Sequence, residues 1–209
     1  AAGRDARLAV GRRGQVMQLD VYDNPAGNYN VAIAGTSGSG KSLLLNEIAA
    51  AYLGTGARVW IIDVGRSYEK ACRNFGGSFI EFTENAALSL NPFTLVADID
   101  EDMELLQPLL AQMVSPREPL DGFQYSTLGA AIKKVWKAKG NTMKVSDVHD
   151  LLATGRLDED SRDEDRRLKD LAAMLHPYTR EGVYGKYFES DATIDFSSDF
   201  IVLELEELK

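Results

Sequence analysis

Apolar positions along the chain follow two rhythms. From residue 28 to 97, short apolar runs alternate with glycine-punctuated turns and amphipathic stretches. Val31-Ala-Ile-Ala34 reads as a buried strand. A helix is predicted from Lys41 to about Leu53, stopping at Gly54-Thr-Gly56, where glycines suit a C-terminal cap. Arg58-Val-Trp-Ile-Ile62 predicts a second parallel strand that ends in Asp63. Ser67 is a plausible N-cap for a helix over Tyr68 to Phe75, closed by Gly76-Gly77, and Ser78 to Phe82 is the next strand. Upstream, Arg4 to Arg13 is polar and basic and reads as a loosely held lead-in. Gln15 to Tyr22 has a strand-like mix, and Asn24-Pro-Ala-Gly27 carries turn chemistry.

After the turn at Asn91-Pro-Phe93 the rhythm becomes helical, from Asp98 to about Pro177. Helices are predicted over Asp100–Val114, Tyr125–Lys139, Val145–Leu152 and Asp163–Leu175, with breaks at Pro116-Arg-Glu-Pro119 and Lys139-Gly-Asn141. Trp136 and Met174 fall at spacings that suit core packing. The charged run Asp158 to Asp170 reads as the solvated face of a helix plus its entry loop. Strand character returns at Ala192–Phe196 and Phe200–Leu205. The pattern predicts an α/β fold, a mostly parallel sheet flanked by helices, carrying an all-helical insertion. Its parts are 1–97 for the first stretch of the α/β core, 98–177 for the insertion and 178–209 for the return to the core.

The junction between the first strand and its helix carries the chemistry. Gly35-Thr36-Ser37-Gly38-Ser39-Gly40-Lys41-Ser42 fits G-x-x-x-x-G-K-[ST] in the strand-to-helix setting that a phosphate loop needs. Phosphate oxygens must reach backbone N–H groups that side chains would block, hence the three glycines and the helix start. Lys41 is placed to meet β- and γ-phosphates, and the Ser42 hydroxyl to ligate Mg2+. A solvated Gly/Ser hairpin turn is the competing reading, but a hairpin tip does not lead into a lysine-headed helix. The expected ligand is a nucleotide with Mg2+; ATP is what the family resemblance below implies. Asp63, at the carboxyl end of a predicted strand, is either a polar group near magnesium or the attacking water, or a plain turn or cap residue.

Composition narrows the alternatives. The chain has 209 residues, 44% of them hydrophobic, enough for one good core and a smaller subdomain. Thirty-two acidic against 23 basic side chains give a net charge of -9, which argues against a general nucleic-acid-coating surface. The single cysteine, Cys72, excludes an intramolecular disulfide framework. With His149 and His176 it makes no metal-ligand cluster. No apolar run approaches the ~20 residues of a membrane span. The chain starts without methionine and ends on a strand running into a helix start, so a fragment of a longer protein is expected.

Tyr178-Thr-Arg180-Glu-Gly182-Val-Tyr-Gly185-Lys186-Tyr-Phe188 is aromatic, basic and glycine-rich. Such a segment could stack bases or form a rigid loop at a subunit boundary. Arg180 and Lys186 are the candidates for a cation offered to a neighbour's γ-phosphate. Hydrolysis also needs an acid at a strand end to hold magnesium and polarise water. Asp63 follows the loop too closely for that role. The Glu204 segment, Glu-Leu-Glu-Glu, has the wrong alternation for a buried strand tip. The catalytic acid is therefore expected beyond Lys209.

Taken together, these segments resemble the TraC-type ATPases of conjugative type IV secretion systems, within the HerA/FtsK motor group. The resemblance rests on Asn28 to Ser42, Asn46-Glu47, Ile62-Asp-Val-Gly-Arg-Ser-Tyr68, Leu90-Asn-Pro-Phe93, Pro177 to Gly182, Tyr184 to Phe188 and Val202 to Leu208. It implies a RecA-like P-loop core with a helical insertion, acting as a hexamer with other secretion-channel components on the cytoplasmic side of the bacterial inner membrane. It further implies that Gly35 to Ser42 bind the nucleotide. Two rival functions remain: a DNA-translocating motor of the same group, which the net charge does not favour, and a nucleotide-gated scaffold without hydrolysis.

Overall fold

The computed structural model describes residues 7–10, 13–83, 87–157 and 163–208. It divides into two compact units, residues 1–86 with 195–209, and residues 87–194. The helical pattern spans 98–177, yet the second unit is wider, because the flanking segments pack with it. Leu90 N–H bonds the Tyr187 carbonyl at 2.6 Å, Ser89 Oγ donates to the Ser190 carbonyl at 2.7 Å, and Ala192 N–H bonds Thr94 Oγ1 at 2.9 Å.

The first unit holds a parallel three-stranded sheet in the order β3 (Val59–Asp63), β5 (Phe200–Glu204), β4 (Ser78–Glu81). Asp63 and Glu81 both lie level with Glu204, so three carboxylates mark the carboxyl end of the sheet. Phe200 and Val202 bury one face of β5 against Val59, Ile61 and Phe79. That face is covered by Leu53 of α1 (Lys41–Gly54) and by Tyr68 and Cys72 around α2 (Glu69–Asn74). A separate antiparallel pair joins β1 (Arg7–Val10) to β2 (Val16–Leu19), with Val10 opposite Val16. The expected loose lead-in therefore contains a strand: Leu8-Ala-Val10 is apolar enough to pair once the chain turns back.

Two predicted strands do not form. Val31–Ala34 has no ladder partner and is mostly exposed. A strand exists only through its neighbour's backbone groups, and the neighbours of β3 and β4 within this sheet are both β5. Val31 instead lines a cavity of about 540 Å³ with Leu45, Tyr52, Val59 and Ile61. Ala192–Phe196 is likewise irregular, and the Phe196 ring stacks on Trp60 at 5.0 Å.

The second unit packs α3 (Ile99–Val114), α4 (Gly122–Lys139), α5 (Val145–Ala153) and α6 (Arg166–Leu175) around Leu110, Leu128, Ile132, Val148, Leu152 and Leu171. Side chains set the helix starts. Asp98 accepts from Asp100 N–H, Asp121 and Gln124 form a capping box, and Asp165 accepts from Arg167 N–H. That last cap explains why α6 begins at Arg166 and not at Asp163. Trp136 packs against this core as expected, whereas Met174 is 44% exposed. Leu171 and Leu175 carry the buried stripe of α6, leaving Met174 on the outer face. Of the charged run, 158–162 lie outside the described residues, and Asp163 and Lys169 are exposed. Asn91, 2% exposed, ties the start of this unit to the α4–α5 connection by donating to the Met143 carbonyl at 3.0 Å.

Leu110 is fully buried on α3 and Leu105 exposed on the same helix. Leu110→Ala is expected to cost about 2–5 kcal/mol. Leu105→Ala should cost less than about 0.5 kcal/mol. Denaturant unfolding followed by circular dichroism measures both, and equal costs would show that α3 buries a different face.

Candidate functional site

The chain from Gly35 to Ser42 forms one continuous turn into α1. Gly38 (φ +76°) and Gly40 (φ +91°) both take the left-handed conformation, which lets the backbone reverse without a Cβ in the way. At Gly35 a Cβ would lie 2.5 Å from Ser39 Oγ, so a larger residue there would require the Ser39 hydroxyl to rotate away. Ser39 N–H bonds the Thr36 carbonyl at 3.2 Å, and Leu44 N–H bonds the Gly40 carbonyl at 2.9 Å. No side chain caps α1, since its N-cap is Gly40. The first-turn N–H groups thus keep their donors for an anion, and the helix dipole adds partial positive charge there. Lys41 Nζ is held against this cradle by the carbonyls of Gly35 at 2.7 Å and Thr36 at 2.9 Å. Thr36, Ser37, Ser39 and Ser42 are all solvent-exposed on the same turn. The donor set suits a phosphate group: backbone N–H groups, one mobile ammonium and an exposed hydroxyl at position 42.

Asp63 ends β3 and stabilises the loop after it. Its Oδ2 accepts from Ser67 N–H at 2.6 Å. Ser67 consequently does not cap α2, which starts behind Tyr68 with no side-chain cap. The loop's second anchor is Glu204. This residue is 1% exposed, contrary to the alternation argument made from the sequence, because β5 is the central strand. Its carboxylate accepts from the N–H groups of Gly65 at 3.2 Å, Arg66 at 2.8 Å and Glu206 at 2.9 Å. Burial would raise the Glu204 carboxyl; these three backbone donors and the Arg66 charge outweigh it and hold it below the ordinary carboxylate range. Arg66 in turn forms ion pairs with Glu69 and Glu81. From the sequence alone, Glu204 is set aside as a strand-tip acid and Asn46 counts only toward the family resemblance, so neither is given a role in this region. The available signal was the Gly65-Arg66 pair, a turn with successive N–H groups that call for an anion.

Arg180 lies in the helical unit. Its guanidinium pairs with Asp150 at 3.0 Å and Glu189 at 3.8 Å, and its N–H bonds Ser146 Oγ at 2.8 Å. Lys186 Nζ sits 4.8 Å from the Tyr187 ring centroid. Tyr178 stacks on Tyr184 at 5.4 Å and meets Phe188 edge-on at 5.8 Å. The rings of this segment thus pack on one another, and Tyr178 and Phe188 also against the helical core.

A family model described as the TraG P-loop domain matches residues 6–209. The chain belongs to that family. Protein TraC of Escherichia coli (strain K12) is 32% identical over 204 residues, which are 95% of this chain and 23% of that protein. The resemblance to TraC-type proteins read from the sequence therefore holds. Among solved structures, VirB4 of Thermoanaerobacter pseudethanolicus superposes with a TM-score of 0.72 over 96% of this chain and 57% of that one, at 21% identity. That likeness shows the α/β P-loop fold of this TraG P-loop domain. The domain spans about a quarter of the TraC relative's length. Among the described residues, no helix is long and apolar enough to cross a membrane.

Because the folded Glu204 carboxyl titrates below its unfolded value of ~4.3, its contribution to stability is complete above that pH and is lost as pH falls through the depressed value. Trp60 reports on the sheet, and Trp136→Phe isolates its fluorescence. Acid titration should unfold the Trp60 environment at higher pH in the parent than a chain with no such carboxylate would require, and Glu204→Gln should flatten that acid limb. An unchanged acid limb in Glu204→Gln would rule the carboxylate out as its source.

Proposed function

We propose that this chain is the ATP-binding domain of an ATPase that energises conjugative type IV secretion, in pilus assembly and in transfer of substrate or DNA. The observation that carries the reading is the uncapped start of α1, with Lys41 Nζ already held at the loop carbonyls. Family membership and the TraC relative support it. In this proposal the backbone of Gly35 to Ser42 cradles the β- and γ-phosphates. Lys41 exchanges its two carbonyl partners for phosphate oxygens, which is favourable because both sites accept a hydrogen bond but only the phosphates carry negative charge. Ser42 holds Mg2+, which would neutralise phosphate charge during hydrolysis.

Asp63 is proposed to bear on magnesium or the attacking water from the carboxyl end of β3. Arg180 is proposed as a cation for a neighbouring copy's γ-phosphate, a role that requires it to exchange Asp150 and Glu189 for phosphate. Glu204 is left out of the acid's role because its carboxylate is committed to three backbone N–H groups. Assembly as a hexamer, with other channel components at the cytoplasmic face of the inner membrane, belongs to the same proposal and is supported by the family resemblance. DNA contact is not part of it, given the net charge of -9.

Isothermal titration with Mg-ATP tests the central point. Lys41→Ala removes charge-assisted hydrogen bonds and should weaken binding by about 10- to 100-fold. Equal affinity in parent and variant would overturn the assignment of the loop. In the longer polypeptide that carries this domain, turnover should vanish with the same substitution. Tight binding without any turnover there would favour the nucleotide-gated scaffold.

A further inference from the structure

Glu204 stands apart from the phosphate loop, yet a chain of hydrogen bonds joins the two. Gly65 (φ +121°) and Arg66 (φ +58°) take left-handed conformations in succession, and Arg66 is the non-glycine residue that does so among the described residues. That conformation is costly for a residue bearing a side chain. It is held here because the two adjacent N–H groups converge on the Glu204 carboxylate, with Gly65 reaching Oε1 and Arg66 reaching Oε2. The next residue, Ser67, donates its N–H to Asp63 and turns its carbonyl to Asn46 Nδ2 at 3.3 Å. The same Nδ2 donates to the Ser42 carbonyl at 2.9 Å, at the last position of the phosphate loop. Asn46 Oδ1 is buried without a hydrogen-bond partner, so the amide takes its orientation from the two carbonyls facing Nδ2.

We infer that Glu204 is a positioning residue for the phosphate loop: it fixes the Gly65–Ser67 turn, which presents the Ser67 carbonyl to Asn46 and so ties down the first turn of α1 at Ser42. This rests on the nucleotide-binding reading above. A glutamine at 204 keeps the shape but turns one acceptor into an NH2 donor, facing a backbone N–H that it cannot satisfy. Arg66 then loses the partner that stabilises its left-handed conformation, and the Ser67 carbonyl is released from Asn46.

The test measures Mg-ATP affinity of the 209-residue chain for the parent, Glu204→Gln, Asn46→Ala and the double variant. Each single variant is expected to bind about 3- to 10-fold more weakly, the loss of roughly one hydrogen bond. The double variant should be no weaker than the poorer single one, because both break the same path. Independent, multiplying effects would overturn the inference, as would unchanged affinity in Asn46→Ala, which leaves the sheet intact even if Glu204→Gln folds poorly. Amide hydrogen exchange gives an arm that needs no nucleotide. Glu204→Gln should speed exchange at 64–67 and also at 41–46, and acceleration confined to 64–67 would sink the link. A parent chain that fails to bind Mg-ATP would instead refute the nucleotide-binding reading, while the exchange comparison still decides whether the two turns are joined.

Discussion

A buried or converging backbone N–H must find an acceptor, and that requirement organises the α/β unit. Two clusters of such donors lie near its sheet. One, between Gly65 and Arg66, is met from inside the protein by the Glu204 carboxylate. The other, at the start of α1, has no internal anion, because its cap is a glycine and its lysine is a cation. The first cluster closes a turn, and the second stays exposed at the glycine-rich loop. The same requirement is thus met from inside the protein in one place and left to an acceptor from outside in the other.

The helical unit meets its helix starts differently. Asp98, Asp121 and Asp165 cap α3, α4 and α6 with side-chain carboxylates, so the first turns of these three helices already hold an internal acceptor. Its core is continuous through all four helices and does not draw on residues of the sheet. Asn91 and Ser89 make the same point at the edges. Their side chains bond carbonyls within the unit itself, so the Asn91-Pro-Phe93 segment that helped place the chain in its family is an internal strut there.

Placing the chain in the TraG P-loop domain family does not by itself assign its acids and cations. Each charged candidate outside the loop already has a partner: Asp63 with Ser67 N–H, Glu204 with three N–H groups, Arg180 with Asp150 and Glu189. A group engaged in this way acts on a ligand only by exchanging that partner or by bracing a turn that supports the loop. For Glu204, buried at the centre of the sheet, the second course is the one its geometry supports.

Much of this was legible in the residues. The phosphate loop, the length of α1, the strands Val59–Asp63 and Ser78–Glu81 and all four long helices follow from local pattern, since period, glycine placement and capping act within a few residues. Local pattern failed at three places where the outcome turned on a distant partner. Val31–Ala34 has strand composition but no neighbour to bond with, and Leu8–Val10 gained a neighbour that its polar surroundings concealed. Glu204 looked wrong for a buried strand tip because alternation describes a strand with one wet face, whereas β5 runs between two others with its tip under a loop from a distant part of the chain. The sequence by itself determined where the glycine-rich loop and its lysine-headed helix lie, because that depends on consecutive residues. The tertiary structure alone decided which carboxylate holds the neighbouring turn, because Glu204 and Arg66 stand 138 residues apart and only the pairing of β3 with β5 brings them together.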